Sequence, residues 1–213
     1  MQSEAAMLER RMRILSHAGK LLAKNDPDAF SLRNLASAAK VSVNTIYNLI
    51  GDKNAVMLEI CREMVRGIHE KLEQIQDEMV LERLEATVIV TTDLPTPGQQ
   101  NARRAANIAF DTLSRDLAYK AEAEDVTRPL SLFRIRALQT GQKLNLLRGA
   151  MPADVLDLAI GQGEMMALLD WTYRRISLDE YRKRALLALY VPLMADANKK
   201  LHTTLQDRIQ MLG

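Results

Sequence analysis

The segment from residue 30 to residue 53 carries helix-capping and helix-ending residues so closely spaced that it can hold only two short helices. Ser31 stands before the first, at 32–39, and Ser42 before the second, which runs to about Leu49. Serine favours the N-cap position because its hydroxyl accepts a hydrogen bond from a backbone N–H of the first turn. Helices this short are not stable alone and must pack on neighbouring elements. Two short capped helices joined by a tight turn predict a helix-turn-helix.

Apolar residues of this segment and of the helix before it predict the local packing. Six residues are expected to supply buried contacts in the two short helices: Leu32, Leu35, Ala36, Val41, Ile46 and Ile50. A preceding helix is predicted over about 4–24, ended by the Pro27 turn at 25–28. Its periodicity predicts one apolar face, with three further apolar residues beside it: Leu8, Met12, Leu15 and Leu22, then Ile14, Ala18 and Leu21.

The remainder of the chain also has helical periodicity. With only 6 Pro and 9 Gly, it is poor in helix breakers, which predicts an all-α fold of about nine helices. Gly51 ends the second short helix and Asp52 caps the next one. The predicted helices after Asp52 are 53–79, 81–92, 99–122, 129–146, 152–174 and 178–203. Pro192 is expected to kink or restart the last of them.

Several classes of function find no support in the composition. Cys61 is the only cysteine, so no intrachain disulfide can form, and its apolar surroundings predict a core residue rather than a redox sensor. His17, His69 and His202 share no metal-ligand spacing, and no nucleotide-binding or nucleophile motif occurs. We therefore expect neither an enzyme nor a cofactor. No signal peptide or membrane-spanning run is evident, which predicts a cytoplasmic protein without membrane contact.

The charge is unevenly distributed. The net charge is only +2, but residues 1–55 carry eight basic and five acidic side chains, and the remainder is nearly balanced. A basic head on a neutral body hints at a polyanionic partner. Ordinary scatter of surface charge accounts for this difference equally well.

Three stretches in order resemble the TetR family of bacterial transcriptional regulators. They are Arg11–Ala18, Phe30–Ala36 and Val41–Lys53, the last including Thr45-Ile46-Tyr47, and the match covers about residues 8–60. The resemblance implies a helix-turn-helix DNA-binding domain at 1–52 and a helical regulatory and dimerisation domain at 53–213. The chain departs from the family at Lys40, where a turn glycine is usual, and at Ile50, where an aromatic residue is usual.

The second short helix holds the candidate base-reading residues. Val43 and Asn44 are expected to point away from Ile46, so that valine contacts a thymine methyl and asparagine reads adenine or reaches phosphate. The resemblance implies phosphate contacts by Tyr47 and Lys53 and a base contact by Arg33. All candidate DNA-binding residues are Ser31, Arg33, Ser42, Val43, Asn44, Thr45, Tyr47, Asn48 and Lys53. For Val43, Asn44 and Arg33, an ordinary solvated surface position is the alternative.

The family resemblance also implies a homodimer through its final long helices, here about 152–203. Apolar stripes there comprise Val155, Leu158, Ala159, Met165, Met166, Leu169 and Trp171, then Tyr181, Ala185, Leu186, Leu189, Val191 and Leu193. Gly161 and Gly163 would allow close helix approach, and the alternative is that the stripes cover only the monomer core. The resemblance further implies that the middle helices, about 81–146, surround a small-molecule effector, with candidate pocket residues Thr87, Thr91, Asn107, Phe110, Asp111, Phe133 and Arg134. The alternative is that the polar residues among them form the solvent-exposed faces of their helices.

The resemblance to the TetR family thus implies a ligand-responsive one-component regulator, most often a repressor in this family, that binds a palindromic double-stranded DNA operator as a dimer. The alternative is a co-regulator or protein-interaction module that has this fold but does not bind an operator. The presence of Thr45, Tyr47 and Lys53 favours the regulator over the co-regulator.

Overall fold

The computed structural model describes residues 4–24 and 30–213. Within those residues there are ten helices and no strand, apart from one isolated bridge between Leu147 and Ala197. The helices are α1 (Glu4–Leu22), α2 (Leu32–Ala39), α3 (Val43–Leu49), α4 (Lys53–Leu72), α5 (Val80–Thr92), α6 (Pro97–Arg115), α7 (Lys120–Lys143), α8 (Ala153–Thr172), α9 (Leu178–Asp196) and α10 (Lys199–Gln210). The predicted all-α fold is confirmed. The predicted break at 25–28 lies outside the described residues.

Several helix boundaries differ from the prediction. The helix expected to run to residue 79 ends at Leu72, where the buried Arg83 side chain holds the following turn by donating to the Ile75 carbonyl at 2.6 Å. The helices expected at 99–122 and 129–146 are instead α6, ending at Arg115, and α7, which starts at Lys120 and continues through Pro129.

The last predicted helix is two helices, and Pro192 is not where it breaks. The α9 helix runs through Pro192 to Asp196. The break follows at Asn198, whose backbone N–H donates to the Leu146 carbonyl and whose side chain caps α10 by accepting from the Leu201 N–H. Backbone pairing with the 145–148 segment therefore ends α9, and local sequence pattern does not reveal such a long-range contact.

The chain forms two compact units. The first comprises residues 1–64 and 94–126, and the second comprises 65–93 and 127–213. In the first unit α1 packs on α2, α3 and α6; in the second, α9 packs on α8, α5 and α10. No helix in the described part of the chain is long and apolar enough to span a bilayer.

The buried face of α1 is not the one predicted. Ile14, Ala18, Leu21 and Leu22 are buried, whereas Leu8 and Met12 are exposed and Leu15 is half-buried. Positions 14, 18, 21 and 22 follow the helical repeat as well as the predicted set does. The difference arises because packing against α2, α3 and α6 selects one of two overlapping apolar stripes.

Candidate DNA-binding surface

Serine caps begin both short helices, as predicted. The Ser31 hydroxyl accepts a hydrogen bond from the Asn34 N–H at 3.1 Å, and the Ser42 hydroxyl accepts one from the Thr45 N–H at 3.0 Å. The Thr45 and Ser42 hydroxyls are also hydrogen bonded, at 2.8 Å. These three residues therefore have a structural role at the helix N-termini in addition to any contact with DNA.

Lys40 occupies the turn between α2 and α3 in a left-handed conformation, with φ 53° and ψ 50°. The turn is closed by the Val41 N–H, which donates to the Ala36 carbonyl at 3.0 Å. A residue with a Cβ adopts this conformation at a cost of about 1–2 kcal/mol, so the expected strain at Lys40 is present. Both helices nevertheless keep their caps and their buried contacts through Leu35, Ala36 and Ile46.

The outward face of α3 is polar. Asn44, Tyr47 and Asn48 are exposed, Tyr47 by 51%, and their spacing places them on neighbouring positions of one helix face. Ile46 is fully buried beneath them. Of the other residues expected to be buried, Leu32, Val41 and Ile50 are only half-buried.

Val43 is half-buried, so the prediction of an exposed valine pointing away from Ile46 was wrong. Residues three apart on a helix are neighbours, which places Val43 beside the buried face that Ile46 occupies. Asn44 lies about 100° around the helix axis from Val43 and is the residue of this pair that faces solvent.

Two exposed cations stand at the starts of the flanking helices. Arg33 is the second residue of α2, and Lys53 is the first residue of α4. The Lys53 ammonium lies 5.8 Å from the centroid of the Phe30 ring, a cation–π contact that limits where its side chain can point. Asp52 caps α4 by accepting from the Ala55 N–H at 2.9 Å.

The predicted pocket residues are divided between the two units. Asn107, Phe110 and Asp111 lie on α6 in the first unit, and Thr87, Thr91, Phe133 and Arg134 lie in the second. Thr87 and Thr91 donate to carbonyl oxygens of their own helix, and Asp111 pairs with Arg115 at 2.9 Å. These three side chains are thus held locally by contacts within their own helices.

Phe133 and Arg134 also have internal partners. The guanidinium of Arg83 lies 4.2 Å from the centroid of the fully buried Phe133 ring. Arg134 joins two carboxylates of α8, contacting Asp157 at 2.6 Å and Glu164 at 3.2 Å. Burial raises the pKa of Glu164, and the negative charge of Asp157 raises it further. The positive charge of Arg134 lowers it by less, so the pKa of Glu164 lies above the usual value for glutamate.

A small apolar cavity in the second unit does not involve the predicted pocket residues. Its volume is about 10 Å³, and its lining includes Val80, Leu84, Leu147, Leu193 and Leu201. A space of this size holds at most one water molecule, and an apolar lining gives that water no hydrogen-bond partner.

The two predicted apolar stripes on α8 and α9 each divide into buried and exposed residues. Trp171, Tyr181, Ala185, Leu189 and Leu193 are buried within the chain. The remaining apolar positions include a group of exposed side chains: Val155, Leu158, Met165, Met166 and Val191. At Gly163, a Cβ would lie 2.7 Å from the Ala188 Cβ, so this glycine permits close packing of α8 on α9 within one chain.

Comparison with known proteins rests on structure, since no family model and no curated protein matches the sequence. A TetR-family transcriptional regulator from Rhodococcus sp. superposes with a TM-score of 0.69 and 16% identity, over 87% of this chain and 99% of that one. SmeT, the repressor of the Stenotrophomonas maltophilia multidrug efflux pump SmeDEF, superposes with a TM-score of 0.68 and 15% identity. This match covers 90% of this chain and 92% of SmeT. FadR from Bacillus subtilis, in complex with stearoyl-CoA, superposes with a TM-score of 0.69 and 14% identity. This match covers 86% of this chain and 97% of FadR.

The chain has the TetR fold. The segment α1–α3, called the head below, lies in the first unit and contains the helix-turn-helix formed by α2 and α3. The Lys40 and Ile50 departures leave this TetR fold intact.

One further residue of the TetR-like head could not be predicted from the sequence, because no chemistry distinguishes it in the motif. Arg11 of α1 donates to the carbonyl of Leu49, at the end of α3, at 2.7 Å. The same guanidinium pairs with Glu59 of α4 at 2.5 Å. Arg11 lies inside the stretch that carries the family resemblance. Helical periodicity, however, does not predict which distant residues an arginine on α1 will contact.

Proposed function

We propose that the protein is a ligand-responsive transcriptional regulator that binds a palindromic operator as a homodimer and represses transcription. The observation that carries this proposal is the exposed polar face of α3, with Asn44, Tyr47 and Asn48, on a doubly capped helix-turn-helix. A short helix with polar side chains on its outer face suits the DNA major groove, where base edges present donors and acceptors.

Within the head, positioning and base reading fall to different residues. Lys53 and Tyr47 contact phosphates on either side of the groove and set the register of the head on DNA. Asn44 and Asn48 reach base edges, where an amide can bond adenine, and Arg33 reaches a guanine. Val43, being half-buried, contributes at most an edge contact with a thymine methyl. The Ser31 and Ser42 hydroxyls cap the helix N-termini, and we expect these two hydroxyls and that of Thr45 to meet phosphate oxygens as well.

Dimerisation uses the exposed apolar side chains of α8 and α9. Val155, Leu158 and Met166 lie on one side of α8 at helical spacing, and Val191 is exposed on α9. Burying apolar surface of this kind stabilises an interface by about 25 cal/mol for each Å² removed from water. This favours pairing with the same face of a second copy. Two heads are then presented to two half-sites one helical turn apart, about 34–36 Å along the DNA.

An effector acts on this equilibrium by binding one arrangement of the dimer better than another. Proteins with this fold bind chemically diverse molecules: SmeT forms a complex with triclosan, and FadR one with stearoyl-CoA. In this chain we place the effector against the part of the middle helices, about 81–146, that lies in the second unit and carries Phe133 and Arg134. An effector that reaches Phe133 or Arg134 replaces their contacts with Arg83, Asp157 or Glu164. No catalytic activity is proposed.

Selection from a random pool of DNA duplexes tests the function directly. The protein is expected to enrich a palindromic motif with half-sites about one helical turn apart. Enrichment of nothing, even at low salt where phosphate contacts are strongest, would instead support a co-regulator that acts through its body.

A further inference from the structure

The end of α3 is held by a charged side chain from another helix. One terminal nitrogen of Arg11 donates to the Leu49 carbonyl at 2.7 Å, and the other pairs with Glu59 at 2.5 Å. Arg11 belongs to α1, Leu49 to α3 and Glu59 to α4, so a single guanidinium joins three helices of the first unit.

Glu59 is itself fixed. Its second carboxylate oxygen pairs with Arg62, one turn further along α4, at 2.6 Å. Burial raises the pKa of Glu59, but hydrogen bonds and charge from Arg62 and Arg11 outweigh that effect, so its pKa lies below the usual value. The carboxylate is therefore ionised at neutral pH, and it presents a constant charge to Arg11.

The α3 helix needs such support at this end. It has seven residues, and its last carbonyl groups have no partners within the helix. Ile50, the cap residue just after the helix, has irregular backbone angles, φ −131° and ψ −52°. Its N–H donates to the Ile46 carbonyl, which leaves the Leu49 carbonyl at the very end of α3 for a partner from elsewhere. A cation at a helix C-terminus is favoured by the helix dipole, so Arg11 both satisfies the Leu49 carbonyl and stabilises this end of α3.

We propose that Arg11 is the positioning residue that sets the orientation of α3 relative to α4, and that Glu59 makes this orientation depend on the position of α4. The inference rests on the proposed function, in which α3 enters the DNA groove. A shift of α4 moves Glu59, draws Arg11 with it, and so changes the support at the Leu49 carbonyl. Arginine suits this role because its planar guanidinium can satisfy two acceptors at once, which an ammonium group does less well.

The test combines DNA binding with amide hydrogen exchange on the full-length protein. Arg11→Gln should lower affinity for the selected operator about tenfold, as expected for one charged hydrogen bond, and leave affinity for random duplex nearly unchanged. In the DNA-free protein, the amides of Asn48, Leu49 and Ile50 should exchange about tenfold faster, while those of α2 change little. Arg13→Gln is the matched control, since Arg13 is an exposed arginine on the same helix, and it should leave α3 exchange unaltered.

A double-mutant cycle tests the role of Glu59. If Arg11 and Glu59 act through the same contact, the double variant Arg11→Gln/Glu59→Gln should weaken operator binding about as much as Arg11→Gln alone. Arg11→Lys should retain the charge but recover only part of the affinity.

The outcomes separate this inference from the proposed function. Unchanged operator preference and unchanged α3 exchange in Arg11→Gln would overturn the role of Arg11. Equal acceleration of exchange in α1, α2 and α3 would also overturn it, because it would show general destabilisation. Additive losses in the cycle would remove Glu59 from the link. If the wild-type protein selects no operator, the proposed function fails, and the exchange measurement still decides whether Arg11 positions α3.

Discussion

Lys53 and Arg33 are both exposed cations at helix starts, yet they are expected to affect DNA binding differently. Lys53→Ala should weaken binding to operator and to random duplex by similar factors, because a phosphate contact carries no sequence information. It should also lower the slope of log affinity against log salt by about 0.9 for each phosphate that is no longer neutralised, or about two for a dimer. Fluorescence anisotropy at several salt concentrations measures both quantities.

The corresponding changes at Arg33 and Asn44 should act on the operator alone. Arg33→Ala or Asn44→Ala is expected to cost about 1–3 kcal/mol per half-site and to relax preference at one or two base positions. Tyr47→Phe removes a neutral donor, so affinity should fall with little change in salt slope. A change of base preference in Lys53→Ala, with none in Arg33→Ala or Asn44→Ala, would show that the head docks differently.

Cys61 illustrates how burial determines reactivity. It is fully buried on α4, its thiol donates to the Ala106 carbonyl at 3.6 Å, and burial raises the pKa of the Cys61 thiol to about 11. Since the thiolate is the reactive form, alkylation at pH 8 should proceed only as fast as the first unit opens. Mass spectrometry should show the rate rising steeply with denaturant; rapid labelling of the native protein would contradict this.

At the scale of helices, local chemistry could be predicted and long-range contacts could not. The Ser31, Ser42 and Asp52 caps were all predictable, because a cap is a hydrogen bond within one turn. The buried face of α1 was not, because two stripes satisfy the same period and only packing distinguishes them.

The same limit applies to the candidate site. The exposed polar residues of α3 follow from helical spacing once Ile46 is assigned to the core. The link through Arg11 and Glu59, like the break of α9 at Asn198, depends on residues distant in sequence. A single sequence contains no signal for such pairs.

The contact between α7 and α8 gives a prediction about pH. Arg134 serves both Asp157 and Glu164, and the pKa of Glu164 is raised because burial outweighs the attraction of Arg134. A carboxyl whose folded-state pKa is raised contributes stability below its unfolded value, and that contribution is lost as pH rises through the folded value. Between the usual pKa of glutamate and neutral pH, this contribution of Glu164 to the free energy of unfolding therefore decreases.

Glu164→Gln should consequently raise the free energy of unfolding at pH 7, with little difference from wild type near pH 4, about the usual pKa of glutamate. Urea denaturation at several pH values measures this. Asp157→Asn is the contrasting variant: it removes the closer partner of Arg134 and should cost about 3 kcal/mol, as for a broken buried ion pair. A Glu164→Gln protein less stable than wild type at pH 7 would show that the carboxylate is a net stabilising partner.

For the whole molecule, the exposed and buried parts of the α8 and α9 stripes predict different consequences of the same substitution. Leu158 is 60% exposed on α8, whereas Leu189 is 0% exposed in the core of the second unit. Leu189→Glu places a charge in the core and should unfold the protein, so it cannot report on association. Leu158→Glu places the charge on the surface, where it should prevent pairing and leave the fold stable.

Leu158→Glu should therefore sediment as a monomer with a helical content near that of wild type, and Lys200→Glu, an exposed change on α10, should remain a dimer. Operator affinity of the Leu158→Glu monomer should fall by a factor of about 10² or more, because the second head no longer benefits from the linkage to the first. Its affinity for an isolated half-site should be retained, since the α2–α3 head does not include Leu158. Sedimentation and anisotropy on full and half operators measure these effects together. A dimer that persists in Leu158→Glu would place the interface elsewhere, whereas a monomer that keeps full operator affinity would mean that one head is sufficient for binding.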